Sequence, residues 1–273
     1  MKIFDCFPFF DELLLLDMRL KYLNDSIKKF VLVEGTYSHQ GKKKKLFFEE
    51  NKSEFKKYKN KIIHVVVDDY PLHNKDTHSE FIYDYHTRNG ITKGLTNNCF
   101  LSDIIMISDV DEFPDKKKFK LFNGKITVFK MKTFYFKINL RCRNFQLDSG
   151  DGLWAGTKML KFSDFDEPQK IRNIKCKNYS FFKFYKKKIT ILNDAGWHFR
   201  FLGNEKNLFK EFKNRAIGRT EKNLKNYSMK EIKKIIDKKL PLIDNKESYE
   251  VIPFHKMPNF VRTSKNKLKD FII

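Results

Sequence analysis

Two aspartates separated by one residue, Asp109 and Asp111, directly follow Ile104-Ile105-Met106-Ile107 and Ser108. Hard divalent cations prefer oxygen ligands and bridge from carboxylate to phosphate oxygens, so this pair is a candidate site for Mg2+ or Mn2+. In an extended segment the side chains at i and i+2 share a face, and the two carboxylates are therefore expected to point the same way. Asp-x-Asp alone is a common pattern, and its bland reading is a pair of loop acids capping a helix. The apolar run before it argues instead for the tip of a central strand. A further element lies far down the chain in Gly196-Trp197-His198. An imidazole at a strand end can complete an octahedral site for Mn2+, which accepts nitrogen as well as oxygen. An isolated histidine in a purely structural role is the alternative.

The surrounding elements have the pattern such a site requires. Leu13, Leu16, Leu20 and Leu23 recur at steps of three and four, which predicts an amphipathic helix between Asp11 and Asn24. Phe30 to Val33, Ile62 to Val67 and Ile104 to Ile107 are short apolar, β-branched runs of the kind that forms buried parallel strands. A helical stretch is expected from about His78 to Asn89. Three β/α units within about 115 residues predict a parallel sheet flanked by helices, with ligands at the carboxyl ends of the strands. Each strand carries acids there: Glu34, then Asp68 and Asp69, then Asp109 and Asp111. After Pro114, Ile126 to Met131 and Thr133 to Ile138 alternate like half-buried antiparallel strands. Asp148 to Gly156 reads as a loop around Trp154, Ile189 to Leu192 as a strand, and Glu205 to Ile217 and Met229 to Lys238 as helices. No linker interrupts the chain, so the expectation is one α/β domain over 1–273. Its nucleotide-binding half would span about 1–115, and its mixed acceptor-side half about 116–273.

The 56 Lys and Arg against 34 Asp and Glu give a net charge of +22, which attracts phosphates, nucleic acid or an anionic membrane face. Lysine runs such as Lys42 to Lys45, Lys116 to Lys118 and Lys186 to Lys188 read first as solvated faces, with peripheral contact at an acidic lipid or glycan surface as the other option. No zinc motif, base-reading helix or RNP-like strand supports nucleic-acid binding. Cys6, Cys99, Cys142 and Cys176 form no Cys-x-x-Cys pair and are expected as free thiols. The longest aliphatic run, Leu13 to Leu16, is far short of a membrane span, and Asp5 stands where a secretory signal would be apolar. A cytoplasmic location is therefore expected.

Several segments occur in an order that carries a family resemblance. They are Phe4-Asp5-Cys6-Phe7-Pro8-Phe9-Phe10-Asp11-Glu12-Leu13, Phe30-Val31-Leu32-Val33-Glu34 with Ser38-His39 and Gly41-Lys42 after it, and Arg88-Asn89-Gly90-Ile91. Ser108-Asp109-Val110-Asp111-Glu112-Phe113-Pro114 and Gly196-Trp197-His198-Phe199 complete the series. Together, from residue 3 to about residue 205, they resemble glycosyltransferase family 17, the β-1,4-mannosyl-glycoprotein 4-β-N-acetylglucosaminyltransferase-like enzymes, in a soluble bacterial or viral form. The resemblance implies an inverting enzyme of GT-A type that takes UDP-N-acetylglucosamine as donor, a divalent metal as cofactor and a glycan as acceptor. It places Asp111 as direct metal ligand, Asp109 at the ribose or a metal-bound water, and His198 as the late histidine. Glu34 falls at the strand tip where such folds hold uridine and ribose, and Arg88 where a guanidinium could grip the diphosphate.

Thr87 stands where a glutamine is expected, and the region beyond residue 205 matches poorly. An inverting transfer needs one general base for the acceptor hydroxyl. Asp151, in Asp148-Ser149-Gly150-Asp151-Gly152-Leu153-Trp154, is the first candidate, because a Gly-flanked acid beside a tryptophan suits a sugar-stacking site. Asp148 and Asp194 compete, and Trp154 reads equally as a core residue. The rival readings are a metal-dependent phosphodiesterase and a non-catalytic binder of anionic glycan or lipid surfaces.

Overall fold

The computed structural model describes residues 2–71, 81–144, 152–174, 176, 189–214, 224–243 and 245–273. Asp148 and Asp151 lie outside these residues, as does the lysine run 186–188.

The three expected strands are present as β2 (Lys29–Gly35), β3 (Ile62–Val67) and β4 (Ile104–Ile107). A further strand, β1 (Ile3–Phe9), lies between β2 and β4, so the parallel part of the sheet runs β3-β2-β1-β4. Asp5 and Pro8 interrupt the apolar run that betrays the other strands, which is why β1 reads as a motif rather than a strand. Side chains on alternate faces are buried on both sides. Phe7, Phe30, Leu32 and Met106 meet Leu16 and Leu20 of helix α1 (Leu13–Leu23). Cys6, Val31, Val33 and Ile105 on the opposite face join Ile91 and Leu95. Covering a parallel sheet on both faces in this way removes the alternation seen in half-exposed strands. Each fully buried Leu or Phe contributes about 1.5–3 kcal/mol.

Helix α2 (Phe47–Asn51) follows β2. Helices α3 (Ile82–Asn89) and α4 (Ile91–Leu95) follow β3. They approach the sheet closely because Gly90 and Gly94 carry no Cβ; one added at Gly90 would lie 2.5 Å from Val67 Cγ2, and one at Gly94 2.4 Å from Val31 Cγ1.

Past β4 the sheet is mixed, as expected of the second half. Strands β5 (Glu112–Pro114), β6 (Ile126–Tyr135) and β7 (Leu140–Cys142) come next. The segments expected as two half-buried strands are one long β6, almost wholly buried, because it has neighbours on both edges. The expected loop around Trp154 is strand from Leu153 onward: β8 (Leu153–Lys161) inserts antiparallel between β4 and β6 and carries the sheet from the first half of the chain into the second. Helix α5 (Pro168–Arg172) follows. Strands β9 (Ile189–Leu192) and β10 (Gly196–Arg200) run parallel to β6, β10 also pairs antiparallel with β5, and β11 (Tyr249–Val251) edges β7.

Two helices, Glu205–Asn214 and Met229–Lys238, cover Tyr135, Phe136 and Leu140. The second starts at a capping box in which Ser228 and Glu231 satisfy each other's backbone N–H, and it stops where Lys239 turns left-handed at φ +53°. Cys6, Cys99 and Cys142 are free thiols. Among the described residues, no helix is long and apolar enough to cross a membrane.

Candidate active site

Strand β4 ends at Ile107, and the chain turns through Asp109 to Asp111 before entering β5. The Glu112 N–H donates to the Asp109 carbonyl at 3.1 Å, closing the turn. The two aspartates are thus presented by a turn and not by an extended segment, a correction to the shared-face argument. They do face a common neighbourhood, but it is the turn and its partners that bring this about.

Arg19 of α1 holds the turn from below. It is wholly buried and pairs with the equally buried Asp5 of β1 through Nη2 to Oδ1 at 2.6 Å and Nε to Oδ2 at 2.8 Å. Its remaining N–H groups go to Ser108 Oγ at 2.5 Å, to the Asp109 carbonyl at 3.2 Å and to the Glu112 carbonyl. Every donor of a buried guanidinium is therefore used, as burial of a charge requires.

Asp109 is gripped by two arginines. Arg88 Nη2 donates to Oδ1 at 3.0 Å and Arg172 Nη2 to Oδ2 at 2.7 Å. Burial pushes this carboxyl's pKa up, but Arg172 and Arg88 outweigh that and hold it well below the usual carboxylate range. Arg88 also reaches Asp84 at 3.0 Å and Gln169 Oε1 at 2.5 Å, while Asn89 beside it donates to Glu167 Oε1 at 2.5 Å. This pair ties α3 to α5 at the place where Arg172 projects.

Arg172 also forks onto Glu112, Nη2 to Oε1 at 2.6 Å and Nη1 to Oε2 at 3.2 Å. Burial opposes its charge, yet Asp109 and Glu112 raise its pKa above the ordinary arginine value. Glu112 is wholly buried and further accepts the Trp154 indole N–H at 2.5 Å and the Asp109 N–H at 3.3 Å.

Asp111 points to His198, whose Nε2 lies 3.3 Å from Oδ2. The β5–β10 pairing creates this contact: His198 is in register with Glu112, and the Phe199 N–H donates to the Asp111 carbonyl at 3.0 Å. His198 stacks on Trp154 with centroids 5.1 Å apart, and the Arg172 guanidinium sits 5.3 Å from that indole ring. Among the described residues, Asp111 Oδ1 and His198 Nδ1 are buried without a hydrogen-bond partner. The side chains of Asp109 and Asp111 are 32% and 25% exposed, enough for a ligand to reach both. Among the described residues, no three His, Cys, Asp or Glu side chains are arranged to hold a metal ion by themselves. Mg2+ is typically held by one or two carboxylates plus substrate phosphates, and an unpartnered Asp111 oxygen beside His198 fits a cation of that kind.

The other expected residues fall as follows. Glu34 is wholly buried, accepting the Phe48 N–H at 3.1 Å and facing His64 Nε2 at 3.2 Å and Lys44 Nζ at 3.6 Å. It anchors α2 and β3 to β2 and has no exposed oxygen to offer a ribose. Asp194 sits on a left-handed turn at φ +48°, where its Oδ1 lies 3.5 Å from Lys132 Nζ. Asp151 and its competitor Asp148 lie outside the described residues.

Four contributors escaped the sequence reading: Arg19, Glu112, Arg172 and Glu12. Glu12 precedes α1, and its Oε2 accepts the Phe10 and Asp11 N–H groups, each at 3.1 Å. Burial first, then the charges of Asp11 and Asp111, push its pKa up to about 8. An acid before Leu13 at a helix start carries no such signal in sequence.

Fold and side chains together define an α/β protein with a charged, partly exposed cluster of acids and arginines at the carboxyl ends of its parallel strands. Residues 1–150 match the family described as Glycosyltransferase family 17, more than half of the 273 residues, and the chain belongs to that family. It is accordingly a glycosyltransferase, with a sugar donor and a glycan acceptor. The matched segment includes Arg88, Asp109, Asp111 and Glu112, and ends before Arg172 and His198. No match was found among curated proteins.

Proposed function

We propose that this protein transfers N-acetylglucosamine, or a related hexose, from a UDP-sugar to a glycan hydroxyl with inversion, on a GT-A type fold and with Mn2+ or Mg2+. The observation that carries this reading is the unpartnered, buried Asp111 Oδ1 beside His198, a step away from an aspartate flanked by two arginines. Asp111 and His198 would hold the cation, and Asp109 would meet the ribose or a metal-bound water. Bound there, the cation would offset the charge that develops on the departing nucleoside diphosphate.

The chain's own groups supply the rest. Arg88 donates to Asp109 Oδ1, and its guanidinium would turn from that carboxylate to the diphosphate, for which its planar fork is suited. Arg172 keeps Asp109 ionised and holds Glu112 in place through its two hydrogen bonds. Trp154, held through its indole N–H and stacked on His198, offers an apolar face for a sugar ring. Asp151 is assigned the proton of the acceptor hydroxyl, on the side opposite the leaving group.

The test is thermal melting of the purified protein with UDP-GlcNAc, UDP-Gal, UDP-Glc and GDP-Man, with and without Mn2+, followed by a donor-hydrolysis assay with the same four. UDP-GlcNAc with Mn2+ is expected to raise the melting temperature most and to be hydrolysed. Stabilisation by an oligonucleotide in preference to every sugar nucleotide would replace the proposal with a phosphodiesterase.

A further inference from the structure

The amino ends of the parallel strands form the side of the sheet away from the Asp109–Glu112 turn, since Ile104 and Ile107 are the two ends of β4. That side carries an exposed apolar pair, Phe100 and Leu101, 66% and 70% accessible and the most exposed large hydrophobics among the described residues. They are held in place rather than loose. The Phe100 N–H donates to Asp103 Oδ2 at 3.0 Å, the Leu101 carbonyl accepts the Ser163 N–H at 3.0 Å, and the Asp103 N–H returns to the Phe100 carbonyl at 2.8 Å. Lysines surround the pair. Lys2 Nζ and Lys28 Nζ lie 5.9 and 5.8 Å from the Phe100 ring centroid. Backbone register adds Lys29 at the start of β2 and Lys161 opposite Ile104. Of the acids at this end, Asp103 is buried, tied to the Phe100 amide and 4.0 Å from Lys28 Nζ, whereas Asp25 and Asp164 are exposed and too few to offset Lys2, Lys29 and Lys161 as well.

We propose that this face is a docking surface for an anionic lipid bilayer, with Phe100 and Leu101 entering the interface and Lys2, Lys28, Lys29 and Lys161 meeting acidic headgroups. An aromatic and an aliphatic tip ringed by cations is the chemistry of an interfacial anchor: apolar burial and headgroup attraction act together, and neither alone gives firm binding. A protein partner of unspecified charge would not require the lysine ring, and a free polyanion would not require the apolar tip. The geometry sets orientation as well. With β4 standing between the two sites, the Asp111 end is directed away from the bilayer and remains open to donor and acceptor. This inference does not rest on the donor or metal assignment.

The test is co-sedimentation of the whole protein with vesicles of phosphatidylcholine alone or containing about a third phosphatidylglycerol, in low salt. Binding is expected to the acidic vesicles and not to the neutral ones. It should fall on the order of ten-fold for Phe100→Ser/Leu101→Ser, and similarly for Lys2→Gln/Lys29→Gln, with melting temperature and UDP binding unchanged in both. A double serine variant that binds like the wild type, or binding to heparin with none to acidic vesicles, would overturn the proposal. So would a dimer in sedimentation velocity that the serine variant dissolves, because the pair would then cover a second copy of the chain.

Discussion

Arg172 and Asp109 are joined by a 2.7 Å charge-assisted hydrogen bond between residues from opposite halves of the chain, and the same Arg172 nitrogen reaches Glu112 at 2.6 Å. The guanidinium therefore shapes the acidic turn from outside, while Arg19 shapes it from within. Replacing Arg172 by Ala strands two acids, one of them wholly buried, and is expected to cost roughly 3–5 kcal/mol of stability in urea denaturation. Arg172→Ala/Glu112→Gln should recover part of that loss, because the stranded charge is removed. Arg172→Lys keeps the charge but cannot fork onto both acids, and transfer should fall by about ten-fold or more. Additive single and double variants would argue against the coupling.

The Arg19–Asp5 pair is tested separately. Arg19→Ala leaves Asp5 buried and unpaired, and releases the carbonyls of Asp109 and Glu112. A loss of about 3–5 kcal/mol is expected in the same denaturation experiment. Asp5→Asn/Arg19→Met should cost less than Arg19→Ala alone, since no charge is left buried.

Glu12 gives a pH dependence with a definite sign. Its carboxyl holds a proton up to about pH 8 when folded, against about 4.3 in an unfolded chain. The folded state therefore binds the extra proton between those values, and this contribution to stability, complete below about pH 4, is lost as pH rises towards 8. Glu12→Gln is neutral throughout, so its melting temperature should exceed that of the wild type at pH 8 by more than at pH 4. Melting curves that shift in parallel across this range would contradict the assignment.

If Asp151 takes the acceptor proton, Asp151→Asn should abolish transfer while leaving Mn2+-dependent UDP binding intact. Calorimetric UDP titration alongside the transfer assay separates the two. Loss of both together would place Asp151 in donor binding instead.

The parallel core was legible because strands buried on both faces leave unbroken apolar runs: β3 and β4 have the expected bounds, and so does the helix Met229–Lys238. β1 was not legible as a strand, since its Asp5 is tolerated only through Arg19, fourteen residues later. The acidic tip follows an apolar run and His198 a Gly-Trp pair, and the structure brings Asp111 and His198 together, although His198 lies inside β10 and not at a strand end. Their supports could not be located from sequence: Glu112 reads as one more loop acid until burial and Trp154 are known, and Arg172 sits in the unremarkable stretch Pro168-Gln169-Lys170-Ile171-Arg172. Glu34 shows the converse failure. An acid at a strand tip looks like a ligand, but His64 and Lys44, which lie against it inside the protein, arrive from other segments. Pairings across long sequence separations leave no local periodicity to read.

The central claim is that Asp111, with His198, binds the cation that holds the nucleoside diphosphate. Calorimetric titration of UDP into wild type and Asp111→Asn, each with Mn2+ and with chelator, tests it most directly. The account predicts Mn2+-dependent UDP binding by the wild type and its loss in Asp111→Asn, with both proteins melting alike when no ligand is present. Equal UDP binding by the two proteins, or wild-type binding indifferent to chelator, would contradict it.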